Sequence, residues 1–185
     1  RVILYMFEGG TMNVDKLSKK QKYDLYIKKF EELCQISQAC GFGDPSSYAR
    51  SKEIYMAGKL GHTISNDYSG ADAFDNKGNP LEYKSTIATE IKATYNGVSL
   101  QASWPAQERY LREEKIGKYK EHYVARFKNG VIVEAWKLTG DQVLKELLPK
   151  FKKQWHSRQK SMPKDPRLGA SLNTDFIINN GVKVI

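Results

Sequence analysis

The sequence has 185 residues, a mass of 21.1 kDa and 40% hydrophobic residues, enough for one compact domain with its own core. The 28% charged and 11% aromatic residues argue against a collagen-like repeat, a coiled coil and long disorder. The formal net charge of +9 favours a polyanionic partner, with nucleic acid ahead of a membrane surface. No stretch reaches the roughly 18 consecutive apolar residues of a membrane-spanning helix. The apolar run from Arg1 to Phe7 is too short for a signal peptide, so we expect a cytoplasmic protein.

Two helices are predicted in the first third of the chain. Between Asp15 and Cys40, apolar residues including Phe30 recur at steps of three and four, as on one face of an amphipathic helix. A second helix is expected from Ser47 to Lys59, because a turn-forming segment precedes it and Gly61 follows it.

The middle of the chain has the two-residue period of strands. Residues 62–85 predict two antiparallel strands around a turn at residues 76–79. A strand with loops is expected in residues 86–105, followed by a helix-compatible stretch in residues 106–120. A hairpin then surrounds Asn129-Gly130, a pair typical of two-residue hairpin turns.

The last third is predicted to contain one more helix and one more hairpin. Residues 141–155 have the apolar spacing of a helix, and the stretch that follows, as far as Leu172, is expected to be a basic loop. Residues 176–178 and 182–185 are expected to form a small hairpin. Separate helices and hairpins together predict an α+β domain, with helices around a mixed central sheet.

The candidate chemistry lies between Gly70 and Ser85. Side chains alternate between the two faces of a strand, so Glu82 and Lys84 share one face and Tyr83 points to the other. If Asp72 ends the preceding strand, the hairpin brings it near Glu82. Two adjacent carboxylates repel unless a cation neutralises them, and Mg²⁺ takes one or two carboxylates together with water. A lysine beside that ion can activate a water or offset charge on a phosphate, as in a metal-dependent phosphodiesterase.

A structural alternative stays open on these residues alone. An Asp followed ten residues later by Glu-x-Lys can equally form a solvated salt bridge across two strands. The sequence contains no competing catalytic motif, since it has no Walker-type phosphate loop, no nucleophile elbow and no His-Glu-x-x-His.

Residues 69–76 and 82–85 resemble the catalytic segment of PvuII-type type II restriction endonucleases of the PD-(D/E)xK superfamily. Further along the chain, four short segments are similar to the C-terminal half of that family in order and approximate spacing. They are Lys118-Tyr119-Lys120, residues 131–136, Lys153-Gln154-Trp155 and residues 180–184. The resemblance covers roughly residues 40–185.

This resemblance implies a restriction-endonuclease-like PD-(D/E)xK core with Mg²⁺ as cofactor. It implies that Asp72 and Glu82 ligate the ion and that the carbonyl of Tyr83 completes its shell. It assigns Lys84 to assisting the attacking water and Tyr119 to an active-site tyrosine. It also implies a homodimer in which each subunit cuts one strand of a short palindrome and leaves 5′-phosphate ends.

We expect residues 1–11, which precede Met12, to be an upstream extension or an added segment, and residues 12–185 to form one endonuclease domain. Within that domain, residues 12–60 are helical and a possible dimerisation region, and residues 61–185 hold the catalytic and DNA-binding core. The apolar face around Phe30 has two alternatives, a dimer contact or part of the domain's own core.

The segment after the catalytic hairpin departs from the family, which reads bases there with a histidine cluster. The polar candidates in its place are Asn96, Ser99, Gln101 and Ser103. Asn and Gln can pair bidentately with adenine and Ser can reach either kind of base, although ordinary turn polarity is the alternative. A basic group near the end of the chain is expected to contact DNA phosphates, or else to be merely solvated: Lys150, Lys152, Lys153, Arg158, Lys160, Lys164 and Arg167.

The sequence hypothesis is therefore a Mg²⁺-dependent type II restriction endonuclease that hydrolyses double-stranded DNA without a covalent intermediate. Two alternatives remain: a structure-selective repair or junction-resolving nuclease, and a non-catalytic basic DNA-binding module. The family resemblance also leads us to expect a cognate DNA methyltransferase as a functional partner, but not as a stable complex.

Overall fold

The structure, a computed structural model, describes residues 4–7, 10–161, 164 and 166–185. Strands β1 (Leu4–Phe7) and β2 (Gly10–Asn13) pair as an antiparallel hairpin at the start of the chain. Part of the segment that we expected to be an extension, residues 1–3 and 8–9, lies outside the described residues.

The two predicted N-terminal helices are confirmed. Helix α1 (Lys19–Ala39) follows a short 3₁₀ turn (Val14–Lys16) and begins at a capping box, in which Ser18 and Gln21 satisfy each other's backbone N–H groups. Helix α2 (Arg50–Leu60) ends at Gly61, whose φ of +72° is the left-handed conformation that glycine adopts without strain.

A six-stranded mixed sheet forms the centre of the domain. Its strands are β3 (Thr63–Ile64), β4 (Ala73–Phe74), β5 (Pro80–Thr86), β7 (Glu121–Lys128), β8 (Val131–Thr139) and β10 (Val182–Lys183). Their order is β10-β8-β7-β5-β4-β3, and the β5–β7 pair is parallel whereas the other pairs are antiparallel. The two hairpins predicted in the middle of the chain are present, although residues 62–85 form three strands rather than two.

The prediction of a basic loop from residue 156 to Leu172 is wrong. Helix α4 (Gly140–Lys160) continues past residue 155, and β9 (Leu168–Leu172) pairs with β6 (Ala93–Val98) in a separate antiparallel ribbon. The prediction failed because the basic side chains of late α4 are solvent-exposed and disguise the helix, while β9 alternates buried and exposed residues over only five positions.

The predicted C-terminal hairpin is also wrong. Residues Thr174–Asn180 form helix α5, because the side chain of Asn173 accepts a hydrogen bond from the N–H of Phe176 and caps the helix. Ile177 then packs into the core. The Asn-Asn-Gly sequence ends this helix, and β10 pairs with β8 instead.

Two hydrophobic clusters cover opposite faces of the sheet, as β7 illustrates. Val124 belongs to the cluster formed with α4, β6 and β9, whereas its neighbours Tyr123 and Ala125 belong to the cluster formed with α2. Helix α3 (Trp104–Tyr110), which continues into a π-helical turn (Leu111–Lys115), adds Leu111 to the α4 side. The domain is thus α+β, with a mixed central sheet flanked by helices.

The apolar face of α1 lies outside both clusters. Tyr26 is 71% exposed and Phe30 is 42% exposed, and Ser37 is the buried residue of this helix. The alternative that this face belongs to the domain's own core is therefore wrong. None of the helices in the described residues is long and apolar enough to cross a bilayer.

Candidate active site

The β4–β5 hairpin brings Asp72, the residue before β4, close to Glu82 on the interior strand β5. Its turn is closed by Asp75, whose carboxylate accepts hydrogen bonds from the backbone N–H groups of Lys77 and Asn79, each over 2.8 Å. The backbone N–H of Asp72 donates to the carbonyl of Leu81 over 3.0 Å. The hairpin therefore brings Asp72 into the neighbourhood of Glu82, as expected from the sequence, although Asp72 precedes the short strand β4 and does not end a strand.

The carboxylate of Asp72 is fixed by the neighbouring strand. One of its oxygens accepts a hydrogen bond from the N–H of Tyr83 over 2.7 Å. Since the N–H and C=O of a strand residue point to the same side, the carbonyl of Tyr83 also faces Asp72. Among the described residues, no donor reaches the second oxygen of Asp72, which leaves it available to a ligand.

Glu82 and Lys84 lie on the same face of β5 and form an ion pair. The ammonium of Lys84 also donates to the carbonyl of Tyr83 over 3.2 Å. The Tyr83 ring belongs to the hydrophobic cluster on the opposite face. The predicted division of these side chains between the two faces is confirmed.

Burial and the neighbouring charges shift the pKa values of all three groups in this cluster. Burial raises the pKa of Glu82 to about 7, against the charge of Lys84 and with the help of Asp72. The pKa of Asp72 is also raised, mainly by burial, although Lys84 and the N–H of Tyr83 act in the opposite direction. Burial alone would lower the pKa of Lys84, but Glu82 and Asp72 outweigh it, so that pKa is raised. One lysine thus balances the charge of two partly buried carboxylates.

These groups fit a hard divalent cation. Two carboxylates and one backbone carbonyl are all-oxygen donors, and Mg²⁺ binds such donors while keeping several waters. Burial, as the main cause, raises the pKa of both carboxyl groups, so their charged forms are poorly stabilised, and a cation would stabilise them. Within the described residues, no three His, Cys, Asp or Glu side chains converge as a metal site. Any bound ion would therefore rely on the carbonyl and on water.

Tyr119 is linked to the loop that precedes Asp72. The hydroxyl of Tyr119 donates to the carbonyl of Gly70 over 2.5 Å, and burial raises the pKa of that hydroxyl. The side chain is almost fully buried. Tyr119 therefore holds the loop of Asp72 in place and is not in the ion pair itself.

Two residues of α2 also belong to this site and were missed from the sequence. The charge of Asp72 helps to raise the pKa of Glu53, after burial as the main cause, so the two carboxylates lie within electrostatic reach. Arg50 lies 3.6 Å from Glu53 and donates to the carbonyls of Phe42 and Ser65. Their helical spacing in a charged helix carried no signal that separated them from surface residues.

The polar candidates for base recognition lie at two places. Asn96 is on the exposed face of the β6–β9 ribbon, where Thr94 and Ser171 approach each other within 3.0 Å. A Cβ at Gly169 would stand 2.6 Å from Oδ1 of Asn96, so glycine leaves room for this amide across the ribbon. A two-stranded ribbon of this kind fits the DNA major groove.

Ser99, Gln101 and Ser103 lie in the loop between β6 and α3. Ser103 caps α3 by accepting from the N–H of Ala106, and the amide of Gln101 donates to the carbonyl of Ser99. Fully buried Gln107, which the sequence analysis missed, accepts from the N–H of Gln101 and donates to the carbonyl of Ser99. The loop is therefore held in one shape by a side chain beneath it.

The members of the basic group near the C-terminus differ in exposure and in their contacts. Lys150 pairs with Glu146 over 2.6 Å and donates to the carbonyl of Ser171. Arg158 is half-buried and its Nε has no hydrogen-bond partner among the described residues. The exposed members are Lys152, Lys153, Lys160, Lys164 and Arg167. Trp155 on the same helix donates to the carbonyl of Gln101 over 3.0 Å, so late α4 adjoins the loop of the polar candidates.

No family model and no curated protein matches this chain.

Proposed function

We propose that this protein is a Mg²⁺-dependent type II restriction endonuclease with a PD-(D/E)xK core. The observation that carries the proposal is the convergence of Asp72, Glu82 and Lys84 with the Tyr83 carbonyl where the short strand β4 leaves most of β5 uncovered. A partly buried ion pair with an additional carboxylate is a poor choice for stability, since it leaves negative charge without a partner. Such an arrangement is expected where a cation and a phosphate bind.

Each residue has a role in this proposal. Asp72, Glu82 and the Tyr83 carbonyl hold Mg²⁺, which supplies charge neutralisation and a more acidic water. Lys84 orients the attacking water and offsets charge on the phosphate. Tyr119 keeps the loop of Asp72 in register through Gly70. The exposed lysines of late α4 contact phosphates, and the polar residues of the β6–β9 ribbon and the adjoining loop contact bases.

The proposal includes a homodimer on a short palindromic site. Leu33 and Ile36, on the exposed side of α1, also line a groove of about 870 Å³ next to α2 and the β7–β8 turn. A continuous exposed apolar surface marks an interaction site. A second copy is the occupant that gives the protein the two-fold symmetry of a palindrome. A cytoplasmic location and a separate methyltransferase acting on the same site complete the proposal.

The deciding experiment is digestion of unmethylated phage DNA with the purified protein, in Mg²⁺ and in EDTA. Lys84→Ala is the test variant, and Lys77→Ala, an exposed lysine in the turn of the same hairpin, is its matched control. We expect discrete fragments with wild type and Lys77→Ala in Mg²⁺, and none with Lys84→Ala or in EDTA.

The other outcomes distinguish the alternatives. Preferential cutting of branched DNA would indicate a structure-selective nuclease. DNA that is retarded on a gel but stays intact in every condition would contradict the metal site and favour a DNA-binding module.

A further inference from the structure

Tyr95 and His122 form a buried pair beside the candidate site. Tyr95 is 5% exposed and His122 is fully buried, and the Tyr95 hydroxyl lies 3.0 Å from Nδ1 of His122. His122 is the register partner of Glu82 in the parallel β5–β7 ladder. The pair is thus attached to the backbone next to the site.

The direction of this hydrogen bond follows from the other nitrogen of His122. Nε2 lies 3.1 Å from the carbonyl oxygen of Ile116, which can only accept, so Nε2 carries a proton. In neutral imidazole, Nδ1 is then the acceptor. Tyr95 therefore donates its hydroxyl proton to His122, and this bond fixes the position of the Tyr95 ring.

The fixed ring faces Lys84. The ammonium of Lys84 lies 5.1 Å from the centroid of the Tyr95 ring, within the range of a cation–π interaction. Its other contacts are Glu82 and the carbonyl of Tyr83. A lysine side chain loses much rotamer freedom when it is held in one place. The aromatic face therefore limits the positions of the ammonium on a side that its hydrogen bonds leave open.

We propose that the Tyr95–His122 pair is a positioning device for Lys84, in which the Tyr95 ring supports the ammonium and His122 holds that ring. Its catalytic consequence rests on the proposed function, because Lys84 acts there on the attacking water. The placement of Lys84 on the ring does not depend on that function. The two parts can therefore fail separately.

The first test measures placement by NMR on metal-free protein with labelled lysine, with the Lys84 signals assigned through Lys84→Arg. Protons that lie over an aromatic ring resonate upfield, so we expect upfield Lys84 side-chain signals and NOEs to the Tyr95 ring in wild type. Tyr95→Phe should keep the upfield shift and Tyr95→Leu should lose it. Absence of both the shift and the NOEs in wild type would overturn the proposal, even if Tyr95→Leu does not fold.

The control is Tyr110→Leu. Tyr110 packs against the same hydrophobic cluster as Tyr95, and its ring lies 5.9 Å from the ammonium of a different lysine, Lys115. Like Tyr95→Leu, this variant replaces a tyrosine ring and hydroxyl of that cluster with a leucine, but it leaves the surroundings of Lys84 unchanged. Its Lys84 signals should match those of wild type.

The second test measures cleavage kinetics at a temperature where each variant is folded. Tyr95→Leu should lower kcat by about 10- to 100-fold with KM unchanged, as when a group that orients a functional residue is removed. Tyr95→Phe, which keeps the ring and loses the bond to His122, should fall between Tyr95→Leu and wild type. Equal losses in Tyr95→Leu and Tyr110→Leu would show general loosening of the core and overturn the positioning role. If wild type places Lys84 on the ring but does not cut DNA, the proposed function fails and the placement stands.

Discussion

The backbone N–H of Tyr83 donates to the carboxylate of Asp72 over 2.7 Å, immediately before β4 begins. The Asp72 carboxylate thus accepts the hydrogen bond that a backbone carbonyl of β4 would accept if that strand were longer. The arrangement limits the distance between Asp72 and the carbonyl of Tyr83, because Asp72 is bonded to the N–H of the same residue, whose N–H and C=O point to the same side of the strand. Two of the three oxygen donors of the candidate metal site are thus set by the sheet, whereas the third, on Glu82, is held by Lys84.

Mg²⁺ affinity is expected to depend on pH through Glu82. Burial, as the main cause, raises the pKa of Glu82 to about 7, and a carboxyl group must lose its proton to bind a metal. Affinity should therefore fall by about tenfold per pH unit below 7 and level off above it. Calorimetric titration with Mg²⁺ between pH 5.5 and 8 measures this, and Glu82→Gln should bind weakly at every pH. A flat wild-type profile would contradict a metal role for Glu82.

The raised pKa of Glu82 also predicts how the stability of the metal-free protein depends on pH. The folded-state pKa of Glu82 lies above its ordinary value of 4.5, so the unfolded chain releases this proton at lower pH than the folded protein. The contribution of Glu82 to folding is therefore lost as pH rises from 4.5 to about 7. Mg²⁺ should oppose this loss, and thermal melts in EDTA and in Mg²⁺ should diverge over that window.

Arg50 is expected to be a main source of stability on the α2 side. Its fully buried guanidinium donates to two backbone carbonyls and lies beside Glu53. Arg50→Met should lower the free energy of unfolding by about 3–5 kcal/mol, because it leaves these buried partners without a donor. Arg112→Met is the matched control, since Arg112 pairs with Glu108 at the surface and should cost less than about 1 kcal/mol. Urea unfolding at pH 7 measures both, and equal losses would contradict a special role for Arg50.

The β4–β5 hairpin could be predicted from sequence because its determinants are local. Strand alternation fixed the faces of Glu82, Tyr83 and Lys84, and the turn residues fixed the return of the chain to Asp72. The supporting residues could not be predicted in this way. Tyr95, separated by 27 positions from His122, meets it only through tertiary packing.

The wrong predictions of the fold also arise because tertiary packing overrides local sequence patterns. At the C-terminus, Asn-Asn-Gly is a good hairpin turn on its own, but the cap from Asn173 and burial of Ile177 favour a helix. In α4, the exposed basic residues beyond position 155 resemble a loop by composition. Local patterns of charge and turn residues carry no information about which surface the rest of the chain will cover.

Dimerisation through α1 is expected to depend on its exposed apolar residues. Ile27 is 53% exposed and Phe30 is 42% exposed on the same face. The double variant Ile27→Asp, Phe30→Asp should be monomeric by sedimentation at concentrations where wild type is a dimer, because charged groups would be buried without partners. Tyr48→Asp, a change at a fully exposed aromatic residue outside this helix, should leave the dimer intact. A monomeric wild type would contradict this interface.

Phosphate contacts by late α4 are expected to appear in the salt dependence of DNA binding. Lys152, Lys153 and Lys160 are exposed, whereas Lys150 is already engaged with Glu146 and a backbone carbonyl. Because each phosphate contact releases condensed counterions, replacing these three lysines with Gln should reduce the log–log salt slope by about 0.9 for each lysine that touches a phosphate.

This experiment needs a control with the same change of net charge. The triple variant Lys22→Gln, Lys59→Gln, Lys77→Gln removes three exposed lysines from other elements. Binding should be measured in EDTA, between 50 and 200 mM salt, so that cleavage does not compete. A smaller slope in the α4 variant with an unchanged slope in the control would locate the duplex along this helix. Equal changes in both variants would show that binding responds only to net charge, and would exclude late α4 as a specific contact surface.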